Sequence, residues 1–135
     1  MQDGLPSQTA GGAAAYRAAH QTVDGGSIFR DPFALRILDD ETRAGLDGMA
    51  ADESLRPMRL LIAARSRFSE DMLSAAVTRG IRQVVVLGAG LDTFALRNPH
   101  AGVGLRVFEV DYPATQAWKR ERLKGAGIEI PASLI

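Results

Sequence analysis

The stretch Val84-Val85-Val86-Leu87-Gly88-Ala89-Gly90-Leu91-Asp92 decides the fold. Its first four residues form a short apolar run rich in β-branched side chains, which is how a strand of a parallel sheet covered on both faces reads. The run stops at Gly88-Ala89-Gly90, where missing Cβ atoms allow a sharp turn and a close approach of the backbone to a ligand. Working outward, Arg106-Val107-Phe108-Glu109-Val110-Asp111 reads as a second strand that closes on a carboxylate. Asp111 follows Gly90 by 21 positions, near the ~20 at which an acidic residue meets ribose hydroxyls. Strand, Gly-x-Gly and a strand-end acid together describe the nucleotide-cofactor half of an open α/β sheet.

The residues also favour one cofactor over another. A dinucleotide fingerprint places a third glycine at position 93, which is Thr93. The helical turn expected over 93–97 is cut by Asn98-Pro99, whereas a pyrophosphate needs a well-formed helix N-terminus. Asp92 at the turn would repel a phosphate. S-adenosylmethionine carries adenosine without phosphate, so it is favoured over NAD, and an NAD-binding oxidoreductase fragment is the first alternative. Gly88 and Gly90 could instead only shape the turn, and Asp111 could cap the helix that Pro113 opens.

Upstream of the deciding stretch the pattern is helical. The Ala-rich segment predicts a helix over 9–21, ended by Gly25-Gly26. Asp31-Pro32 is a helix-start signal, with Phe33, Ile37 and Leu38 on one face. The longest helix is expected after Pro57, with Leu61, Phe68, Met72 and Ala76 as its buried stripe and Gly80 as its stop. Downstream, Pro113 opens a helix to about Lys124, whose cluster of basic residues reads as a solvated helix end, and 131–135 approaches a third strand. The expected organisation is a loose tail over 1–8, a helical cap over 9–79 and the first part of a Rossmann-like α/β domain over 80–135. Two parallel strands cannot cover their own faces, so the chain reads as the N-terminal half of a larger fold. An uncovered sheet edge would allow self-association, and a non-catalytic interaction module is the second alternative.

The 135 residues carry 16 Lys+Arg against 16 Asp+Glu and no cysteine, with 46% hydrophobic and 24% charged residues. That composition suits a globular chain and excludes disulfide frameworks, Cys-based zinc sites and thiol chemistry. His20 and His100 lie far apart, so no metal site is expected. Balanced charge argues against a nucleic-acid surface. No run reaches the ~20 apolar residues of a membrane helix, and the N-terminus lacks the order of a secretory signal; a cytoplasmic protein without a membrane partner is expected.

The run from Gly80 to Thr93 resembles the first motif of the leucine carboxyl methyltransferase-like family, class I S-adenosylmethionine-dependent methyltransferases. Val107-Phe108-Glu109-Val110-Asp111-Tyr112-Pro113, with Gln116, Lys119 and Arg122-Leu123 after it, is similar to the second motif. Thr9-Ala10, Arg17-Ala18, Phe29-Arg30-Asp31-Pro32-Phe33-Ala34 and Arg65-Ser66-Arg67-Phe68 match the N-terminal segment. The resemblance implies that Gly88 and Gly90 border the methyl donor, that Asp111 holds its ribose, and that an arginine pairs with its methionine carboxylate. Arg67 is the expected arginine and Arg65 the alternative. An Asp-Leu pair near the adenine and the acceptor-binding segments of the family fall past Ile135, and His20 stands where many relatives have Glu. The implied reaction is methylation of a carboxylate or hydroxyl oxygen on a small molecule. No catalytic residue is assigned, because the sulfonium already activates the methyl group and the protein's task is alignment and exclusion of water.

Overall fold

The computed structural model describes residues 7–135, so the expected tail lies outside the described residues except for Ser7 and Gln8, which cap and begin the first helix. Helix α1 (Gln8–Val23) starts where the Ser7 hydroxyl accepts the Ala10 N–H at 3.4 Å. Gly25 and Gly26, both at positive φ, turn the chain away after it. The buried face of α1 is mostly Ala14, Ala15, Ala18 and Ala19, small enough to let neighbouring elements approach closely.

The helix expected at Asp31-Pro32 does not form; residues 32–37 are consecutive turns, with a bend at Leu38. Asp31 does start a turn, its Oδ1 accepting the Phe33 N–H at 2.9 Å. Its other oxygen is held by Arg17 and Thr93, which fixes the segment against the rest of the molecule instead of letting a helix run on. Phe29, Ala34, Ile37 and Leu38 are nonetheless buried. Two short helices follow, α2 (Asp40–Ala44), capped by Asp39, and α3 (Leu46–Ala51).

Helix α4 (Arg56–Thr78) has Pro57 in its first turn. It ends in a Schellman arrangement: Ile81 N–H bonds Ala76 O, Gly80 N–H bonds Val77 O, and Gly80 takes φ +100. Its buried face differs from the expected stripe. Leu61, Phe68 and Met72 are 57%, 66% and 52% exposed, while Arg59, Ile62, Ala63 and Val77 are buried. The inward stripe is therefore one residue, about 100°, around the helix from the apolar one. It can face inward because its polar members are paired: Arg59 with Asp24, Ser66 with the Ile62 carbonyl, Glu70 with Arg97.

Strands β1 (Gln83–Leu87) and β2 (Arg106–Val110) pair in parallel, Val85 opposite Phe108. The expected approach to a third strand is a single parallel bridge, Val107 with Leu134, on the far side of β2 from β1. Between the strands run two short 3₁₀ turns, Phe94–Arg97 and Ala101–Val103. Helix α5 (Pro113–Gly125) lies against β2, where Gln116 reaches the Glu109 carbonyl. The expectation of a strand covered on both faces fails for β1: Val84 and Val86 pack toward Val77, Phe94 and Val107, but Val85 and Leu87 are 56% and 77% exposed. A second core joins α1 to the sheet region, with Leu91, Leu123 and Ile128 among the α1 alanines, Ile37, Leu38 and Leu46.

Candidate functional site

A cleft of about 1050 Å³ opens where β1 ends. One wall is the strand and its glycine turn, the second is the first half of α1, and the third is α4. The turn is built by its own backbone: Gly88 and Ala89 both donate to the Val110 carbonyl, at 2.8 and 3.2 Å, and Asp92 N–H closes on Ala89 O at 2.7 Å. Gly88 (φ +64) and Gly90 (φ +48) occupy the left-handed region that favours glycine.

The two glycines have different surroundings. Gly88 is exposed in the cleft, and a Cβ added there would meet nothing within 4 Å. Gly90 is buried, and a Cβ there would lie 2.7 Å from Ala10 Cβ. What Gly90 admits is thus helix α1, which rests directly on the turn.

Asp111, at the end of β2, stands beside the bend. Its Oδ2 accepts the Gly90 N–H at 2.6 Å and its Oδ1 accepts the Tyr112 N–H at 2.7 Å. The carboxylate is half-buried on the cleft and each oxygen keeps a lone pair for a further donor. Asp92 uses its side chain to accept the Phe94 N–H at 2.8 Å, starting the 3₁₀ turn. Gly88, Gly90 and Asp111 are thereby brought together. Arg67 is not among them: it pairs with Asp71 one turn along α4 and lines no part of the cleft. Arg65 does line it, with Ser66, Ser69 and, from α1, Tyr16.

A buried polar network behind the turn was not visible in the sequence. Arg17, 6% exposed, gives Nε to Asp31 Oδ2 at 2.8 Å and Nη2 to the Leu91 carbonyl at 2.7 Å. Asp31 also accepts the Thr93 hydroxyl at 2.6 Å. Arg97 sits 3.6 Å from Asp31, forks onto Glu70 at 2.8 and 2.5 Å, and covers the Phe29 ring at 4.7 Å. Burial opposes the charge on Arg97, but the Glu70, Asp31 and Asp92 carboxylates together outweigh it and the guanidinium is held protonated more firmly than usual. On the other flank, Lys119 Nζ donates to the Asp92 carbonyl and to Glu109 Oε2, both at 2.6 Å. Burial pushes the Glu109 carboxyl up, against the pull of Lys119. Lys119 is 5% exposed, which corrects the reading of the basic cluster as a wholly solvated helix end. Nothing in composition marks such residues, since Arg and Lys are mostly exposed; Arg17 and Asp31 did fall in the segments that carried the family resemblance. His20 is fully buried, bonded to Asp24 and to the Ile28 and Phe29 amides. Among the described residues no group of three or more His, Cys, Asp or Glu could hold a metal ion, and no helix is long and apolar enough to cross a membrane.

Comparison with known proteins identifies the family. The model of the family described as leucine carboxyl methyltransferase matches residues 10–135. The chain belongs to the leucine carboxyl methyltransferase family. It is 40% identical over 108 residues to a Bacillus subtilis protein named "Putative S-adenosyl-L-methionine-dependent methyltransferase YktD", covering 80% of this chain and 34% of that one. A Frankia alni protein of the same description is 38% identical over 122 residues, covering 86% of this chain and 42% of its own length. One from Mycobacterium avium is 35% identical over 142 residues, with 94% and 44% covered. The chain thus spans 34% to 44% of the length of these relatives. The leucine carboxyl methyltransferase match begins at Ala10, so it takes in α1 and its network as well as the sheet.

Proposed function

We propose that this chain forms the donor-binding part of an S-adenosylmethionine-dependent methyltransferase that methylates a carboxylate or hydroxyl oxygen of a small molecule. The observation that carries this reading is the placement of the Asp111 carboxylate at the glycine turn, 2.6 Å from the Gly90 N–H, on the wall of the cleft. The residues present fit such a donor. Gly88 leaves open a space that a Cβ would occupy, Asp111 offers lone pairs to ribose hydroxyls, and Arg65 brings a guanidinium whose planar fork suits a carboxylate. When bound, the sulfonium would supply an electrophilic methyl group. The chain's own part would be to hold the donor's ribose and carboxylate, and to border it with the face of α1 so that water is displaced. A carboxylate acceptor needs no general base, and none is assigned. Against NAD, the residues after the turn are a four-residue 3₁₀ segment, Phe94–Arg97, which offers no helix N-terminus to a pyrophosphate. The reading keeps the cytoplasmic location expected from the sequence and includes a second copy of the chain as a partner, through the free edge of β1.

Calorimetric titration of the chain with S-adenosylmethionine, S-adenosylhomocysteine and NAD tests this. We expect the first two to bind and NAD not to. Asp111→Ala should cost about 1–3 kcal/mol of donor affinity, the scale of a hydrogen bond to a charged group. Binding of NAD alone, no binding of donor at millimolar concentration, or unchanged affinity in Asp111→Ala would overturn it.

A further inference from the structure

Two buried cations end on adjacent carbonyls of the glycine turn, and they come from two different helices. Arg17 of α1 holds Leu91 O at 2.7 Å and Lys119 of α5 holds Asp92 O at 2.6 Å. We propose that Arg17 and Lys119 are positioning residues that set the turn in its ligand-ready shape before any donor arrives. This rests on the donor-binding reading above for what the turn is ready to receive.

Each cation is compensated by a carboxylate that lies outside the turn, Arg17 by Asp31 and Lys119 by Glu109. The charges are therefore not there to balance Asp92 or Asp111. Each also donates to a main-chain oxygen of a cleft-lining residue. A peptide unit is planar, so fixing a carbonyl also fixes the N–H of the residue after it. Holding Leu91 O aims the Asp92 N–H, which closes the turn on Ala89 O; holding Asp92 O aims the Thr93 N–H at the start of the 3₁₀ segment. The Arg17 arm is itself braced, because Asp31 accepts from Thr93 Oγ1, two residues beyond Leu91. Arg59 supplies the contrast: 1% exposed and paired with Asp24 at 2.8 Å, it belongs to the same kind of buried ion pair but, among the described residues, donates to no carbonyl of the turn.

Hydrogen–deuterium exchange of the ligand-free chain, together with donor titration, tests the proposal on Arg17→Met, Lys119→Met and Arg59→Met. In the first two, amides of residues 89–94 should exchange about tenfold or more faster while those of β1 keep their rates, and S-adenosylmethionine should bind at least about tenfold more weakly. Arg59→Met should speed exchange broadly, with no excess at the turn. Arg17→Lys, which keeps the charge but cannot span both Asp31 and Leu91 O, should fall between wild type and Arg17→Met, and it serves where Arg17→Met does not fold. Unchanged exchange at 89–94 in folded variants, or the same turn-specific rise in Arg59→Met, would overturn the proposal. If the wild-type chain binds no donor while the turn-specific rise appears, the positioning role stands and the donor reading fails.

Discussion

Gly90 and Gly88 share a backbone conformation and differ in what a methyl group would strike. At Gly90 the obstacle is Ala10 of α1 at 2.7 Å; at Gly88 nothing lies within 4 Å. Gly90→Ala is therefore expected to lower stability by about 2–4 kcal/mol, from left-handed strain plus overpacking, with α1 displaced from the turn. Gly88→Ala should cost only about 1 kcal/mol, for its positive φ. Urea unfolding of the two variants checks this, and equal losses would mean that α1 does not rest on the turn. The two arginines of α4 also separate at this scale. Arg65→Met should weaken S-adenosylmethionine by about tenfold and leave adenosine unchanged, because adenosine carries no carboxylate. Arg67→Met should change neither, since Arg67 is engaged with Asp71 outside the cleft. Parallel titrations with the two ligands decide between them.

At the scale of elements, α1 and α4 are joined by a polar contact and not by apolar packing alone. Asp24, just after α1, accepts from Arg59 of α4 at 2.8 Å and from His20 at 2.9 Å. The Arg59 hydrogen bond holds the Asp24 carboxyl below its ordinary range, against partial burial, and His20 adds to the effect. A carboxyl lowered in the folded state stabilises the fold above its unfolded pKa and loses that contribution as pH falls through the folded value. Asp24→Asn should cost about 2 kcal/mol near neutral pH, and the gap to wild type should close as pH drops below about 4. Unfolding curves along a pH series measure that gap. The same contact shows what the sequence could and could not reveal. The β1 turn, β2 and the helix after Pro113 were legible because period, glycine and proline act locally. The face that α4 turns inward was not, because Arg59, Ser66 and Glu70 look like solvent residues until their partners are known. The helix expected at Asp31-Pro32 failed for a related reason: Asp31 is claimed by Arg17 and Thr93, 14 and 62 positions away. At the candidate site, the meeting of Gly88, Gly90 and Asp111 could be read from spacing, whereas Arg17 and Lys119 bond to main-chain carbonyls that no side-chain pattern displays.

Across the whole molecule, apolar side chains remain open along α4 and β1: Leu61, Phe68, Met72, Val85 and Leu87 are all more than half exposed. Patches of this kind drive association, and among the described residues β1 pairs with a strand on one side only. The double variant Phe68→Gln/Met72→Gln should keep wild-type stability within about 0.5 kcal/mol, since neither side chain is buried, and should lower the sedimentation-average mass at high protein concentration. A loss of stability instead would show that the face is packed.

The seat of α1 on the turn bears on the order in which the molecule assembles. Arg17 precedes Leu91 by 74 positions, and Ser7, whose N–H meets Thr115 Oγ1, precedes it by 108. At the usual pace of about 5–20 residues per second, the first helix leaves the ribosome several seconds before the groups it will lie against have been translated. During that wait Arg17 has Asp31 beside it but not the Leu91 carbonyl, and the helix has no floor. A face of alanines, shallow and weakly adhesive, suits a segment that must stay uncommitted until the last of its neighbours emerges.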